Sequence, residues 1–216
     1  MISLNLKKRF YTSILLLLLL LLTFAFNVAL IYALIVLGVI SIIEFLNLIK
    51  KVTQNKIFQI FFNQIFIIYL VSLFTTLFYL SNFSHLKVLI YILLLGCIFS
   101  DIGGFIFGNI FKGPKLTKIS PKKTYTGVLG SVIFTNLIMI SLLFYTLEKF
   151  NYMVIIIGMI TSISCQIGDL FFSYLKRKAN IKDTGNFLPG HGGILDRLDG
   201  IFLGLPLGFL ALIFFY

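Results

Sequence analysis

Apolar runs of about twenty residues, each with at most one charged residue, follow one another along almost the whole of this 216-residue chain, and they restrict the folds open to it. Hydrophobic residues make up 59% of the sequence and charged residues 12%, whereas a soluble domain is roughly half apolar and about a quarter charged. So few polar side chains could not cover the surface of a soluble globule. The sequence therefore predicts a polytopic membrane protein.

The apolar runs predict an all-α fold: a membrane helical bundle of about seven transmembrane helices, forming one integral membrane domain over 1–216. The leucine run that follows the first basic residues is also typical of a signal peptide. No small-residue cleavage site comes after it, so we expect a retained first span. The first two spans are separated only around Asn27. The predicted spans are 10–26, 28–48, 58–80, 88–107, 127–147, 153–175 and 198–216.

The distribution of lysine and arginine predicts how these spans are oriented. The outside connections carry only Lys87 and Lys149. Because cytoplasmic loops of membrane proteins are enriched in basic residues, we predict a cytoplasmic N-terminus. The same rule accounts for the net charge of +11, and we expect no nucleic-acid partner. The predicted inside segments carry 3, 3, 5 and 5 basic residues, 16 in all, in 1–9, 49–57, 108–126 and 176–197.

The two long polar segments, 108–126 and 176–197, are both predicted to be cytoplasmic loops, so chemistry is expected there. We therefore divide the chain into N-terminal helices, 1–96, and a catalytic part, 97–216. Cys97 and Cys165 lie inside apolar runs, which indicates small core residues rather than a disulfide or a zinc site.

Only seven acidic residues occur, and four of them are predicted to lie at one membrane level. Asp101 and Asp169 lie in the cytoplasmic third of apolar helices, where a carboxylate costs a few kcal/mol unless it meets a cation or water. Asp196 and Asp199 are spaced i, i+3 near the start of the last span, which puts both on one helix face. Four such carboxylates predict a site for a hard divalent cation.

Each of these acids also has a structural interpretation. Asp101 and Asp169 could pair with lysines or cap a neighbouring helix, and acids in a first helical turn complement the helix dipole. Glu44, near the cytoplasmic end of the second span, is expected to snorkel, to pair with a lysine of the next loop, or to join the site. Glu148, in an outside loop, is expected to be solvated.

Cations and glycines lie close to these acids in the sequence. The stretch SPKKTYTG places Lys122 and Lys123 in what its Ser120, proline and glycine indicate is a shaped turn. His191 lies between glycines that permit close backbone approach to a ligand. Metal-binding carboxylates beside lysines and exposed N–H groups suit phosphate transfer. The alternatives are that topology alone explains most of the lysines and that His191 is structural.

The 27-residue stretch SYLKRKANIKDTGNFLPGHGGILDRLD, Ser173 to Asp199, resembles the signature of the phosphatidate cytidylyltransferase (CDP-diglyceride synthase) family. The order of its motif residues and every gap between them match. A second stretch, Ser100 to Gly127, is similar to the family's other cytoplasmic motif. Thr126 stands where the family usually has Glu or Gln, and Asn109 where a basic residue is common, so neither is assigned to the site.

The resemblance implies an enzyme of phospholipid biosynthesis. Such a nucleotidyltransferase transfers the cytidylyl group of CTP to phosphatidic acid, giving CDP-diacylglycerol and pyrophosphate. It implies Mg²⁺, a second cation such as K⁺, and a homodimer. The expected catalytic residues are Asp169, Asp196, Asp199 and Lys176. The expected metal ligands are Asp169, Asp196 and Asp199, with Asp101 in support. The expected substrate contacts are Ser120, Lys122, Lys123, Ser173, Arg177, Lys182, His191 and Arg197.

Two other functions stay open at this point. A CTP-dependent lipid kinase of the dolichol or phytol kinase kind would release CDP instead of pyrophosphate. A cation-coupled membrane transporter is the second alternative, because intramembrane aspartates often mark ion paths. For the cytidylyltransferase, we expect a bacterial inner membrane, with the carboxylates of separate helices meeting in one pocket that faces the cytoplasm.

Overall fold

The described part of the computed structural model comprises residues 2–117, 120–148, 151–187 and 192–215, without the side chains of 2–10 and 147. Within these residues the fold is all-α, as predicted. Lys115 and Thr124 form an isolated antiparallel bridge. The helices are α1 (Ile2–Ala25), α2 (Asn27–Val52), α3 (Lys56–Ser81), α4 (Ser84–Phe111), α5 (Tyr125–Leu147), α6 (Met153–Lys178), α7 (Leu195–Leu198) and α8 (Ile201–Phe215).

Six apolar segments in the described part are long enough to cross a membrane, and they coincide with the last six predicted spans. The segments are α2, α3, α4, α6, Tyr125–Thr146 in α5, and Leu195–Phe215, which includes α7 and α8. The described apolar part of α1, Tyr11–Ala25, is shorter, so the first span stays a prediction. The protein is thus a polytopic helical membrane protein.

The predicted break near Asn27 is confirmed. Phe26 has an extended backbone, with φ −125° and ψ 119°, and α2 begins at the next residue. The Asn27 side chain accepts a hydrogen bond from the Lys87 ammonium at 2.6 Å. The same ammonium lies 5.7 Å from the centroid of the Phe24 ring, a favourable cation–π distance. Lys87, which was predicted to lie in an outside connection, therefore stabilises the chain at the break between α1 and α2.

The chain folds into two compact units. The first unit comprises Met1–Lys87 with Leu175–Arg197, and the second comprises Val88–Tyr174 with Leu198–Tyr216. In the first unit, α2 contacts both α1 and α3. The Phe45 and Phe66 rings stack there with centroids 3.9 Å apart. The buried face of α2 also carries Glu44, a carboxylate among apolar neighbours.

The second unit has a core made by α4, α5, α6 and α8. Its buried residues are aliphatic or methionine: Ile92, Leu93, Met139, Leu143, Val154, Ile157, Ala211 and Leu212. Many other apolar side chains of these helices are exposed, among them Phe105, Leu129 and Phe214. Exposed apolar side chains on every spanning helix are what a lipid-facing surface requires.

Glycines allow α4 and α5 to cross closely in the second unit. A Cβ built on Gly130 would lie 2.6 Å from the Gly103 carbonyl oxygen, and one on Gly127 would lie 2.9 Å from the Gly104 carbonyl oxygen. Close crossings of small residues are a common way for helices to pack in membranes. This crossing brings together the two helix ends that flank the loop 112–124.

A second close approach joins α6 to the start of the last span. A Cβ on Gly168 would lie 2.5 Å from the Asp199 carbonyl oxygen, and one on Gly200 would lie 3.2 Å from the Cys165 carbonyl oxygen. The backbone at Asp199 is therefore packed directly against α6, next to Asp169.

We predict that Gly130→Ala destabilises the protein. The added methyl group would collide with a backbone oxygen and with the Phe107 side chain, and overpacking of this kind costs about 1–3 kcal/mol. The better helix propensity of alanine, about 1 kcal/mol, offsets only part of that cost. The measurement is the midpoint of thermal unfolding in detergent.

The matched control is Leu129→Ala, which changes an adjacent side chain that is 63% exposed. We expect it to leave the midpoint nearly unchanged. A Gly130→Ala midpoint equal to that of Leu129→Ala would contradict the close crossing.

Candidate active site

The described parts of the loop 112–124 of the second unit, 112–117 and 120–124, are joined to each other by backbone hydrogen bonds. The Leu116 N–H donates to the Lys123 carbonyl at 2.8 Å, and the Lys123 N–H donates to the Ser120 carbonyl at 3.0 Å. The Tyr125 N–H donates to the Pro114 carbonyl at 3.1 Å. These bonds confirm the predicted shaped turn and give Lys123 a defined backbone position.

Two threonines close the base of this loop. The Thr124 hydroxyl caps α5 by accepting from the Gly127 N–H at 3.1 Å, as side-chain oxygens at this position commonly do. The Thr126 hydroxyl accepts from the Gly113 N–H at 3.3 Å and lies 3.0 Å from the Thr124 hydroxyl. Thr126, the departure noted in the sequence, therefore ties the two ends of the loop together.

The loop brings Lys123 to Asp169 of α6. The Lys123 ammonium lies 2.5 Å from Asp169 Oδ2, and the side chains are 22% and 30% exposed. The Ser173 hydroxyl, one helical turn further, donates to Asp169 Oδ1 at 3.2 Å. Three residues expected at the site are thus in contact in the second unit. The alternative that Asp169 pairs with a lysine is therefore also confirmed, and the lysine is Lys123.

The remaining two carboxylates of the second unit differ in exposure. Asp101 is exposed on α4, whereas Asp199 is only 7% exposed. Asp199 Oδ1 accepts from the Gly200 N–H at 2.9 Å. The prediction that Asp196 and Asp199 lie near the start of the last span is confirmed, since that span is Leu195–Phe215. The helical spacing expected of the two is interrupted, because α7 ends at Leu198 and Asp199 lies in the turn before α8.

In the first unit, α6 ends in a motif that places Lys176. Asn180 has a left-handed backbone with φ 53°. Its N–H donates to the Arg177 carbonyl at 3.1 Å, and the Ile181 N–H donates to the Lys176 carbonyl at 3.0 Å. This pair of bonds is a Schellman motif, which satisfies the last carbonyls of a helix.

Lys176 and Asp196 form the second ion pair, at 2.8 Å. The other carboxylate oxygen of Asp196 accepts from the Thr184 N–H at 2.8 Å and from the Gly193 N–H at 3.0 Å. Gly192, immediately before, has φ 85°, a conformation that glycine adopts without steric cost. Asp196 is therefore the point at which both ends of the loop 179–194 are fastened.

The contacts of Glu44 differ from those expected from the sequence. Its carboxylate is 6% exposed and accepts from the Leu195 N–H at 2.8 Å and the Ile194 N–H at 3.2 Å. It also accepts from the Thr184 hydroxyl at 3.1 Å. The expectations of snorkelling or of a lysine partner are wrong, because Glu44 is buried and its partners among the described residues are two N–H groups and a hydroxyl. The only sequence signal was one carboxylate in an apolar run.

The other predicted substrate contacts have local partners or are exposed. The Arg177 guanidinium donates to the Ile181 carbonyl at 3.2 Å, and the Ser120 N–H donates to the Thr117 hydroxyl at 3.2 Å. Lys122, Lys182 and Arg197 are exposed. His191 lies outside the described residues. Cys97 and Cys165 are buried free thiols, as predicted.

The carboxylates fit a magnesium ion in chemistry but do not form a ready-made cage. No three acidic, histidine or cysteine side chains in the described part of the chain are grouped closely enough to hold a metal ion. Mg²⁺ usually takes only one or two protein carboxylates and completes its shell with water and substrate phosphates. The carboxylates of Asp101, Asp169 and Asp199 in the second unit, and that of Asp196 in the first, are of the kind that such a shell uses, and magnesium binding stays a prediction.

The chain belongs to the cytidylyltransferase family, whose profile matches residues 2–215. It is 45% identical over 128 residues to the phosphatidate cytidylyltransferase of Rickettsia typhi, an alignment covering 55% of this chain and 56% of the relative. It is 39% identical over 132 residues to that of Staphylococcus haemolyticus, covering 60% and 50%. For Helicobacter pylori the identity is 38% over 123 residues, covering 57% and 46%. The chain spans about half the length of the curated relatives it matches.

We predict that Lys123 and Asp169 are energetically coupled. Lys123→Met and Asp169→Asn each leave the other partner without its counter-ion, so each is expected to lower stability. The double variant should lose less than the two single losses together, by about 0.5–1 kcal/mol for a partly exposed pair. The measurement is unfolding in detergent of the wild type and the three variants. Strictly additive losses would mean that the pair contributes nothing.

Proposed function

We propose that this chain transfers the cytidylyl group of CTP to phosphatidic acid, giving CDP-diacylglycerol and pyrophosphate. Family membership and the names of the relatives support this reaction. One observation carries it: at two motif positions an expected phosphate-binding lysine contacts an expected metal-binding carboxylate, Lys123 with Asp169 and Lys176 with Asp196. A site that must accept both an anionic substrate and its cation needs both kinds of group.

The reaction requires little proton transfer. An anionic phosphate oxygen of phosphatidate attacks the α-phosphorus of CTP, and a new P–O–P linkage forms. The bond from the α-phosphorus to the bridging oxygen of the β-phosphate breaks, and its electron pair leaves on pyrophosphate. The obstacle is the approach of two polyanions, so catalysis depends on neutralising charge and on aligning the reacting groups in line.

The lysines supply part of that neutralisation. Each ammonium is paired with a carboxylate, so that neither the partly buried Lys123–Asp169 groups nor the buried Lys176–Asp196 groups are isolated charges. When a phosphate enters, Lys123 and Lys176 are positioned to transfer their hydrogen bonds to its oxygens. Each carboxylate, Asp169 in the second unit and Asp196 in the first, is then left free to take part in binding a divalent cation. Mg²⁺ held by such carboxylates would stabilise the charge that develops on the transferred and departing phosphates.

We also propose the location and assembly state implied by the sequence. The excess of basic residues in the four predicted inside segments supports a cytoplasmic active site. The bacterial relatives support an inner membrane, and family resemblance supports a homodimer. The mass of the detergent-solubilised protein, corrected for bound detergent, would test the dimer.

The direct test is incubation of the purified protein with radiolabelled CTP and phosphatidic acid, with and without Mg²⁺. We expect label in a lipid product and release of pyrophosphate, both dependent on Mg²⁺. Release of CDP would favour the lipid kinase. No turnover, together with cation flux in proteoliposomes, would favour a transporter.

We predict that Asp196→Asn and Asp199→Asn each abolish formation of CDP-diacylglycerol while leaving membrane insertion intact. Asparagine keeps the shape and one acceptor oxygen but removes the charge that a divalent cation requires. Activity is measured per amount of protein in the membrane fraction. Glu148→Gln, at an exposed position that is not assigned to the site, is the control and should remain active. Near-normal turnover in either aspartate variant would overturn the metal assignment.

We predict that Lys123→Ala lowers kcat/KM by tens-fold, since one charged hydrogen bond contributes about 1.5–3 kcal/mol. Lys115→Ala is the matched control. It removes an exposed lysine from the same loop, and its backbone pairing with Thr124 does not depend on the side chain. Equal activities of the two variants would mean that Lys123 does not contact substrate and serves only to set the orientation of the spans.

A further inference from the structure

We propose that Glu44, far from the two motifs in the sequence, is a positioning residue for the loop that holds Asp196. This inference rests on the proposed cytidylyl transfer for its activity readout. Glu44 contacts no reacting group in this account. It acts through Thr184 and through the backbone at the start of α7.

The contacts of the Glu44 carboxylate lie on both sides of Asp196 in the loop. Its oxygens bind the N–H groups of Ile194 and Leu195, immediately before Asp196. They also bind the hydroxyl of Thr184, whose own N–H binds Asp196. One carboxylate on a helix of the bundle thus fixes two loop segments that both determine where Asp196 lies.

The backbone at two glycines of the loop approaches the Glu44 carboxylate closely. A Cβ on Gly193 would lie 2.5 Å from Glu44 Oε2 and 2.7 Å from Oε1. A Cβ on Gly185 would also collide with Glu44 Oε1. A Cβ at either glycine would therefore require the Glu44 carboxylate to move away from the position in which it forms these hydrogen bonds.

A carboxylate is needed at this position, not only a polar side chain. The groups that face Glu44 are two N–H donors and a hydroxyl, and an ionised carboxylate can accept from all of them. A glutamine amide has only one acceptor oxygen, and its NH₂ group would oppose an N–H donor. Because the site is buried, such an unpaired donor is costly. Glu44→Gln is therefore a disruptive change despite its matching shape.

The test compares Glu44→Gln with Ser41→Ala, which lies nearly one turn earlier on the same buried face of α2. The Ser41 hydroxyl is fully buried and has no hydrogen-bond partner among the described residues, so its removal should leave stability and kinetics unchanged. For Glu44→Gln we expect kcat to fall by at least about tenfold while KM for CTP changes by less than about threefold, since misplacing a catalytic group affects the transition state more than binding.

A second readout does not depend on activity. Trypsin cleavage after the exposed Lys182 should become faster in Glu44→Gln than in wild type, because the loop has lost its anchor. Thr184→Val, which removes the Thr184–Glu44 hydrogen bond and keeps the Thr184 N–H, should change kcat and cleavage in the same directions but less. If Glu44→Gln does not fold, Thr184→Val decides the question alone.

The outcomes separate this inference from the proposed function. A wild type without cytidylyl transfer would overturn the function, and the proteolysis comparison would still test the anchor. An active wild type with Glu44→Gln matching Ser41→Ala in kcat and cleavage would overturn the positioning role. Unchanged kcat and cleavage in Thr184→Val would also count against it.

Discussion

In a chain with so little charge, each buried carboxylate needs a cation or an N–H group as its partner. The described loops supply these partners. A carboxylate inside an apolar helix costs several kcal/mol when it is unpaired. In the second unit, Asp169 finds Lys123. In the first, Asp196 finds Lys176 together with two backbone N–H groups. In the proposed function, the same interactions also hold these groups in place for binding a phosphate and its cation.

The backbone around these pairs is constrained by ordinary devices. Lys176 is placed by a Schellman motif, and Lys123 by a loop whose base is closed by two threonines. Glycines at the crossing of α4 and α5 bring the ends of that loop together. None of these backbone motifs takes part in a reaction. Each reduces the freedom of a lysine before any substrate arrives, which is the part of catalysis that a protein can supply in advance.

Part of the site was predictable because membrane sequences are so uneven in composition. Six apolar segments coincide with predicted spans since a helix that crosses lipid must be apolar for its whole length. Asp169 and Lys123 stood out because charge is rare in and beside such segments. The sequence also showed that Thr126 stands where the family usually has Glu or Gln. It did not show what the threonine does in the fold. The sequence does not reveal that the hydroxyl binds the Gly113 N–H.

The sequence by itself determined the class of protein, the order of the spans and the identity of the charged groups available for chemistry. Only the tertiary structure decided which carboxylate meets which donor. Glu44 and Leu195 are 151 residues apart along the chain, and no periodicity or spacing connects them. Hydropathy is a property of each segment alone, whereas the partner of a buried charge depends on how separate helices and loops pack.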